Sequence, residues 1–124
     1  MVKRFIVTIA LFAALSAQAD YLFVNATGNL LPGYTVEIKS SNGRSLKVLE
    51  NGKSAYVKND SSYELIASNP EHEKGNPLNF TPRKSDINNV IVVKFGKVLD
   101  RIKVNQTTLE KAKRQYGNRI EFPG

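Results

Sequence analysis

The chain contains one histidine, so His72 is the only candidate for the base of a Ser-His-Asp arrangement or for an imidazole metal ligand. It lies between Glu71 and Glu73, and such a set of donors suits a divalent ion such as copper or zinc. Adjacent residues of an extended segment point apart, however, and the chain has no second histidine and no cysteine. A solvated loop is the simpler interpretation, and no metal or other cofactor is predicted.

Residues 52–54 read Gly-Lys-Ser, which is how a phosphate-binding loop ends. That loop requires a glycine five residues before Gly52, because its backbone amides must turn towards the phosphate, but the position holds Lys47. Asn51 and Gly52 instead form an Asn-Gly pair, which is typical of a hairpin turn. A hairpin accounts for the three residues, and nucleotide binding is not predicted.

The serine and carboxylate residues form no recognisable catalytic set. No serine stands in the motif of a nucleophile elbow, and the eleven acidic residues are scattered along the chain. The absence of cysteine excludes thiol catalysis, disulfides and thiolate metal sites. We therefore predict a protein that is not an enzyme, with a small enzyme or metal-dependent protein that uses His72 as an alternative.

Positive charge is concentrated in the second part of the chain. Residues 20–82 contain six basic and seven acidic residues, a net charge of −1, whereas residues 83–124 contain ten basic and four acidic residues, a net charge of +6. Such a region attracts polyanions and anionic membranes. The simpler interpretation is that these charges keep exposed faces soluble. The predicted partner-binding residues are Lys97, Arg101, Lys103, Lys111, Lys113 and Arg114.

Residues 1–19 have the three parts of a secretory signal peptide. Lys3 and Arg4 form the positive region, residues 5–15 are uncharged and mostly apolar, and residues 17–19 read Ala-Gln-Ala, a small-x-small cleavage site. The apolar stretch is shorter than the roughly 20 residues that span a bilayer. We expect a periplasmic or secreted protein, bacterial in character, whose residues 20–124 form one domain without an integral membrane segment.

The elements that must position these side chains are mainly strands. Residues 90–93 are apolar and β-branched at consecutive positions, which predicts a strand buried on both faces. Gly96 and Lys97 fit a two-residue turn, so we expect residues 88–104 to form a hairpin whose second strand is 98–104. Asp100 would share the face of the apolar residues of that strand, and a bulge near Leu99 and Asp100 would remove this conflict.

Shorter strands and one helix complete the predicted elements. Strands are expected at 21–24, 34–39, 45–49, 54–57, 63–68 and 119–122, and residues 69–89 form the longest stretch without periodicity. Thr107 and Glu110 match a capping box at the start of a helix. Leu109, Ala112 and Tyr116 form its apolar face, and Gly117 is placed to be the C′ residue, where glycine usually adopts the left-handed conformation.

These patterns predict an all-β fold: a small antiparallel β-sandwich of about seven strands, immunoglobulin-like or similar, with one short C-terminal helix. The function that fits best is an exported, non-catalytic binding module that recognises an anionic envelope component or a protein partner. A structural subunit of an envelope assembly, joined through its strand edges, is a further alternative.

Overall fold

The structure, a computed structural model, describes residues 20–29, 32–71, 75–97 and 101–123. They form two sheets of four strands and one α-helix, so the predicted β-sandwich with a C-terminal helix is confirmed. The elements are β1 (Tyr21–Asn25), a 3-10 turn (Thr27–Asn29), β2 (Thr35–Ser40), β3 (Ser45–Leu49), β4 (Ser54–Val57), β5 (Tyr63–Ser68), β6 (Leu78–Phe80), β7 (Val90–Phe95), β8 (Ile102–Thr107) and α1 (Leu109–Tyr116).

The first sheet has the strand order β4-β1-β7-β8 and the second has the order β3-β2-β5-β6. All neighbours are antiparallel except β1 and β7, which are parallel. Because the Asn51 turn joins β3 to β4 at one side of the sandwich, β6 and β8 are the edge strands at the other side. The strand β8 is therefore the edge strand of the first sheet on this side, and it leads directly into α1.

Two apolar cores lie on the two faces of the first sheet. The core between the sheets includes Phe23 and Ile91, and the core on the outer face includes Val24 and Val92, which α1 covers with Ala112 and other residues. The residues of 90–93 are all fully buried, alternating between the two cores. The predicted burial of this strand on both faces is confirmed, and α1 is the reason for it.

Asn25 is a polar residue within the apolar core and has no exposed surface. Its side-chain nitrogen donates to the carbonyl oxygens of Tyr34 (3.1 Å) and Leu49 (2.9 Å), which belong to the segments that build the second sheet. Its side-chain oxygen accepts from the backbone nitrogen and the hydroxyl of Thr27. A buried amide is stable only when its donors and acceptor are used, and here they fasten β1 to the opposite sheet.

The predicted two-residue turn at Gly96 and Lys97 is wrong. The backbone nitrogen of Gly96 donates to the carbonyl of Arg101 (3.0 Å), and Phe95 pairs with Ile102, so β7 and β8 are joined by the six-residue segment 96–101. A two-residue turn would place the carboxylate of Asp100 opposite Val93 on the inner face, where an unpaired charge is costly. The bulge predicted near Leu99 and Asp100 lies outside the described residues.

The start of α1 is one residue later than predicted. Thr108 is the N-cap, and its hydroxyl accepts from the backbone nitrogen of Lys111 at 3.2 Å, whereas Thr107 is the last residue of β8. The capping box of Thr107 with Glu110 is therefore wrong. The predicted apolar face is right, because Ala112 and Tyr116 are buried and Leu109 packs against the same core.

Three further predictions about the helix and the strands are corrected. Gly117 ends the helix, but with φ −58° and ψ −26°, so it does not adopt the left-handed cap. Within the segment 69–89, residues 78–80 form β6, which pairs with β5 and was not predicted as a strand. In place of a strand at 119–122, Glu121 forms a single parallel bridge with Lys53.

Candidate functional site

The outer face of the hairpin carries two lysines directly opposite each other. The cross-strand register pairs Lys94 of β7 with Lys103 of β8. Both side chains point to the α1 side, because Val90 and Val92, which alternate with the inward-facing residues of β7, belong to the core under the helix. The Gly96–Arg101 pair exchanges a backbone hydrogen bond, so by alternation Lys94 and Lys103 also form a hydrogen-bonded pair, with Cα atoms about 5.5 Å apart.

Two more cations adjoin this pair at the end of the hairpin. Arg101 continues the same face of β8 by alternation with Lys103, and Lys97 follows Gly96; both residues are exposed. Gly96 makes room for the lysine, because a Cβ atom at that position would approach Lys103 Cε to 3.1 Å. The methylene chain of Lys103 therefore lies along the hairpin towards its end. We refer to Lys94, Lys97, Arg101 and Lys103 as the hairpin cluster.

No carboxylate of the described residues forms an ion pair with the hairpin cluster. The ion pairs of the described residues lie elsewhere: Lys53 with Glu121 at 2.7 Å and Arg114 with Glu110 at 2.9 Å. Like charges directly opposite each other on a sheet are destabilising. An anion placed between Lys94 and Lys103 would offset this repulsion. The hairpin cluster is therefore suited to binding an anionic group.

The three predicted cations of α1 form a separate and dispersed group. Lys111, Lys113 and Arg114 are all exposed. Lys111 and Lys113 are two residues apart and therefore about 160° apart around the helix axis, and Arg114 is paired with Glu110. A flat partner surface cannot meet all three. The structure thus brings together Lys97, Arg101 and Lys103 of the predicted set and leaves the helix residues apart.

Lys94 belongs to the hairpin cluster and was absent from the predicted binding residues. It follows four buried residues, so it reads as the end of a covered strand. The alternation of side chains along β7 could have indicated it, because Lys94 is on the same face as Val90 and Val92. The helix covers those two valines but does not reach Lys94. Its pairing with Lys103 depends on the register of the hairpin, and the predicted two-residue turn would pair Lys94 with Leu99 instead.

A pocket of about 270 Å³ lies where the end of α1 meets the 3-10 turn and the β3–β4 turn. The guanidinium carbon of Arg119 is 5.9 Å from the centre of the Tyr116 ring at this pocket. The lining residues are Ala26, Gly28, Asn29, Asn51, Gly52, Tyr116, Arg119 and Ile120. They include no carboxylate, histidine or serine, so the described lining offers binding contacts and one cation but no pair of groups for acid–base catalysis.

The residues of the Gly-Lys-Ser tripeptide lie in a turn and in a bridge to the C-terminal segment. The predicted hairpin is wrong here, because β3 and β4 belong to different sheets and do not pair with each other. Gly52 has φ 81°, as an Asn-Gly turn requires, and Lys53 Nζ binds Glu121 Oε2 at 2.7 Å. This hydrogen bond and the opposite charge lower the pKa of Glu121 and raise that of Lys53. Ser54 Oγ donates to the carbonyl oxygen of Glu121 at 2.5 Å. The turn therefore holds the residues after α1 against β4.

His72 lies outside the described residues, so its hypothetical metal or catalytic role stays a prediction. Within the described ranges, no three or more histidine, cysteine, aspartate or glutamate residues group together in a way that could hold a metal ion. In the same ranges, no helix is both long enough and apolar enough to cross a membrane. Comparisons with protein-family models, with curated proteins and with solved structures found no match to this chain.

Proposed function

We propose that the protein is an exported, non-catalytic binding module that recognises an anionic partner, an envelope polymer or a protein, through the hairpin cluster. The observation that carries this proposal is the cross-strand pair of Lys94 and Lys103, with Arg101 and Lys97 beside it. These cations have no carboxylate partner among the described residues. An anionic ligand would therefore gain attraction and also relieve the repulsion within the pair.

The non-catalytic part of this proposal stays a prediction, and it takes account of how the polar groups are used. In the part of the chain that the structure describes, every buried polar side-chain atom has a hydrogen-bond partner. The pocket at Tyr116 and Arg119 lacks a nucleophile with an adjacent base. A binding role for the surface cations needs neither.

Export is supported by the composition of residues 1–19. It is tested by expressing the full chain in a bacterium and measuring the mass and N-terminal sequence of the product recovered from the periplasm and the medium. We expect a chain that begins at Asp20. A full-length chain retained in the cytoplasm would contradict export and leave the binding proposal to its own test.

The binding proposal is tested by reversing the charge of the cross-strand pair. We expect the protein to bind heparin and polyglutamate, two anionic polymers of different chemistry, with an affinity that falls as salt is raised. The variant Lys94→Glu/Lys103→Glu should bind about tenfold more weakly or worse, since two attractive contacts become repulsive. The measurement is titration by fluorescence anisotropy at two salt concentrations.

The matched control is Lys47→Glu/Lys58→Glu, which changes the net charge by the same amount at two exposed positions outside the hairpin. Its affinity should stay within about twofold of the parent. Equal losses in the two double variants would show that only net charge matters, and binding indifferent to salt would exclude an electrostatic site. Either result contradicts the proposal.

A further inference from the structure

The second edge of β8 has no neighbouring strand among the described residues. The other three sheet edges are shorter or less regular: β4 has four residues and follows the bridge between Lys53 and Glu121, β6 has three residues, and β3 pairs with a register shift at Ile38 and Lys39. Short strands, irregular pairing and covering segments are the usual ways in which proteins block their sheet edges. By contrast, β8 has six residues in unbroken register with β7. It is the longest regular edge that the described part of the chain leaves open.

The backbone groups of this edge alternate in direction. Because Lys103 and Asn105 lie in hydrogen-bonded pairs with β7, their backbone N–H and C=O groups point inwards to the sheet. The same groups of Ile102 and Val104 point outwards, where no strand meets them in the described structure. At the far end, the side chain of Gln106 binds the backbone nitrogen of Arg83 and so holds the preceding loop. The open part of the edge is therefore centred on residues 102–104.

The side chains along this edge have two different chemistries. Ile102 and Val104 face inwards, are only partly buried and pack against the core between the sheets. Arg101 and Lys103 face the opposite side and are exposed. A segment that pairs with β8 thus meets apolar side chains on one face and cations on the other.

We propose that the open edge of β8 binds an extended acidic polypeptide segment as an added antiparallel strand. Its apolar residues lie beside Ile102 and Val104, and its carboxylates alternate with them and lie opposite Lys103 and Arg101. The residue opposite Lys103 falls in a non-hydrogen-bonded pair, where the side chains of two antiparallel strands come closest. This inference takes its charge preference from the proposed function and adds the backbone pairing and the alternating pattern.

Charge selects this occupant over a second copy of the chain. A copy that paired through its own β8 would bring a second Lys94–Lys103 pair to the same face. Like charges brought together in this way disfavour the pairing. A polysaccharide or a lipid surface has no row of amide donors and carbonyl acceptors to match the outward groups of Ile102 and Val104. An acidic polypeptide strand satisfies both the backbone and the cations.

The test uses two peptides of identical composition. One alternates valine and glutamate, and the other has its valines and its glutamates in two blocks. We expect the alternating peptide to bind the purified protein about tenfold more tightly, since only it places carboxylates and apolar groups on opposite faces. Binding is measured by titration in two-dimensional NMR, and backbone hydrogen exchange is followed in the complex. The amides of Ile102 and Val104 should gain protection, while those of Lys103 and Asn105, which already bond to β7, should change little.

Backbone methylation of the peptide gives a test that leaves the protein unaltered. Methylation of the valine nitrogens removes the donors that would point at β8 and should weaken binding about tenfold or more. Methylation of the glutamate nitrogens, which would point away, should be tolerated within about twofold. The variant Lys103→Glu should reverse the preference, so that an alternating valine–lysine peptide binds better than the valine–glutamate peptide.

The outcomes separate the two proposals. If both peptides bind equally and both depend on Lys94 and Lys103, the edge inference is overturned and the proposed function stands. If the alternating peptide protects Ile102 and Val104 but ignores Lys103→Glu, the acidic specificity is overturned. If polyglutamate and heparin bind but neither peptide binds, edge pairing is overturned alone. If no anion binds at all, both proposals fall.

Discussion

Two parts of one surface differ although they share strands, face and register. On the outer face of β7, Val90 and Val92 are fully buried, whereas Lys94, the next residue on that face, is partly exposed. The inner face shows no such change, because Ile91, Val93 and Phe95 all belong to the core between the sheets. The difference on the outer face must therefore come from what covers it.

The covering element is α1, and its length sets where the apolar surface ends. Eight residues of helix extend about 12 Å, which is enough to cover two successive outward positions of a strand. Beyond the end of α1 the outer face of the sheet is accessible to solvent. The cross-strand pair at that position is Lys94 with Lys103. A sheet face becomes part of the core or stays accessible to solvent according to the element that packs on it.

The largest effect is expected from placing a charge in the covered part. The change Val92→Asp should lower the free energy of unfolding by more than about 4 kcal/mol, because the carboxylate would be buried without a partner. The same residue type two positions away, Lys94→Asp, should change it by less than about 1 kcal/mol, because that position reaches water. Urea denaturation followed by circular dichroism measures both. Similar midpoints for the two variants would contradict the contrast.

Removing the main anchor of the helix should have the next largest effect. Tyr116 is buried against the outer core, and Tyr116→Ala should cost about 3 kcal/mol by leaving a cavity and loosening α1. The control is Gln115→Ala at the neighbouring exposed position, which should change stability by less than about 0.5 kcal/mol. Thermal and urea unfolding give the comparison. Equal stability of the two variants would show that α1 does not cover the sheet.

A smaller effect is expected at the start of the helix. Thr108→Ala removes the side chain that caps α1 and should cost about 1 kcal/mol, while Thr108→Ser should keep most of the stability. Thr107→Ala tests the alternative cap and should cost less than Thr108→Ala, since Thr107 lies in β8. The measurement is again urea denaturation. The reverse order would restore the capping box of Thr107 with Glu110.

The smallest effect should have the opposite sign. Lys94→Glu places a carboxylate opposite Lys103 and should raise the free energy of unfolding by about 0.2–1 kcal/mol. The gain should shrink in high salt, because exposed charges are screened. Lys94→Gln, which removes the repulsion without adding attraction, is the control and should gain less. A loss of stability in Lys94→Glu at low salt would mean that the two side chains do not face each other.

Local patterns predicted much of the fold. The strands β1 to β5 lie within one residue of the expected ranges, because alternation of apolar and polar residues and the Asn-Gly turns are signals carried within ten residues. The strand β6 was missed because its three residues have no such pattern and owe their conformation to pairing with β5. The register of the β7–β8 hairpin was predicted wrongly because Gly96 suggested a two-residue turn. Such a turn would bury the charge of Asp100 on the inner face, which is costly.

The candidate site was predictable only in part. The excess of cations after residue 82 selected Lys97, Arg101 and Lys103, which lie together. It also selected three cations of α1, of which two lie on opposite sides of the helix and one is paired with a glutamate: Lys111, Lys113 and Arg114. Composition records how many charges a segment contains, whereas a binding surface depends on which of them share a face. That requires the register of the sheet and the rotation of each residue about the helix axis.

The amino-acid sequence alone determined that the chain forms a β-sandwich with one helix, that residues 90–93 are buried on both faces, and which side of α1 is apolar. Each of these follows from the periodicity of neighbouring residues, which is set by the geometry of a single strand or helix. Three features are visible only in the tertiary structure: β1 lies parallel to β7, Lys94 faces Lys103, and the outer edge of β8 has no neighbouring strand among the described residues. These features depend on pairing between distant segments, and periodicity specifies the face of a residue but not its partner across the sheet.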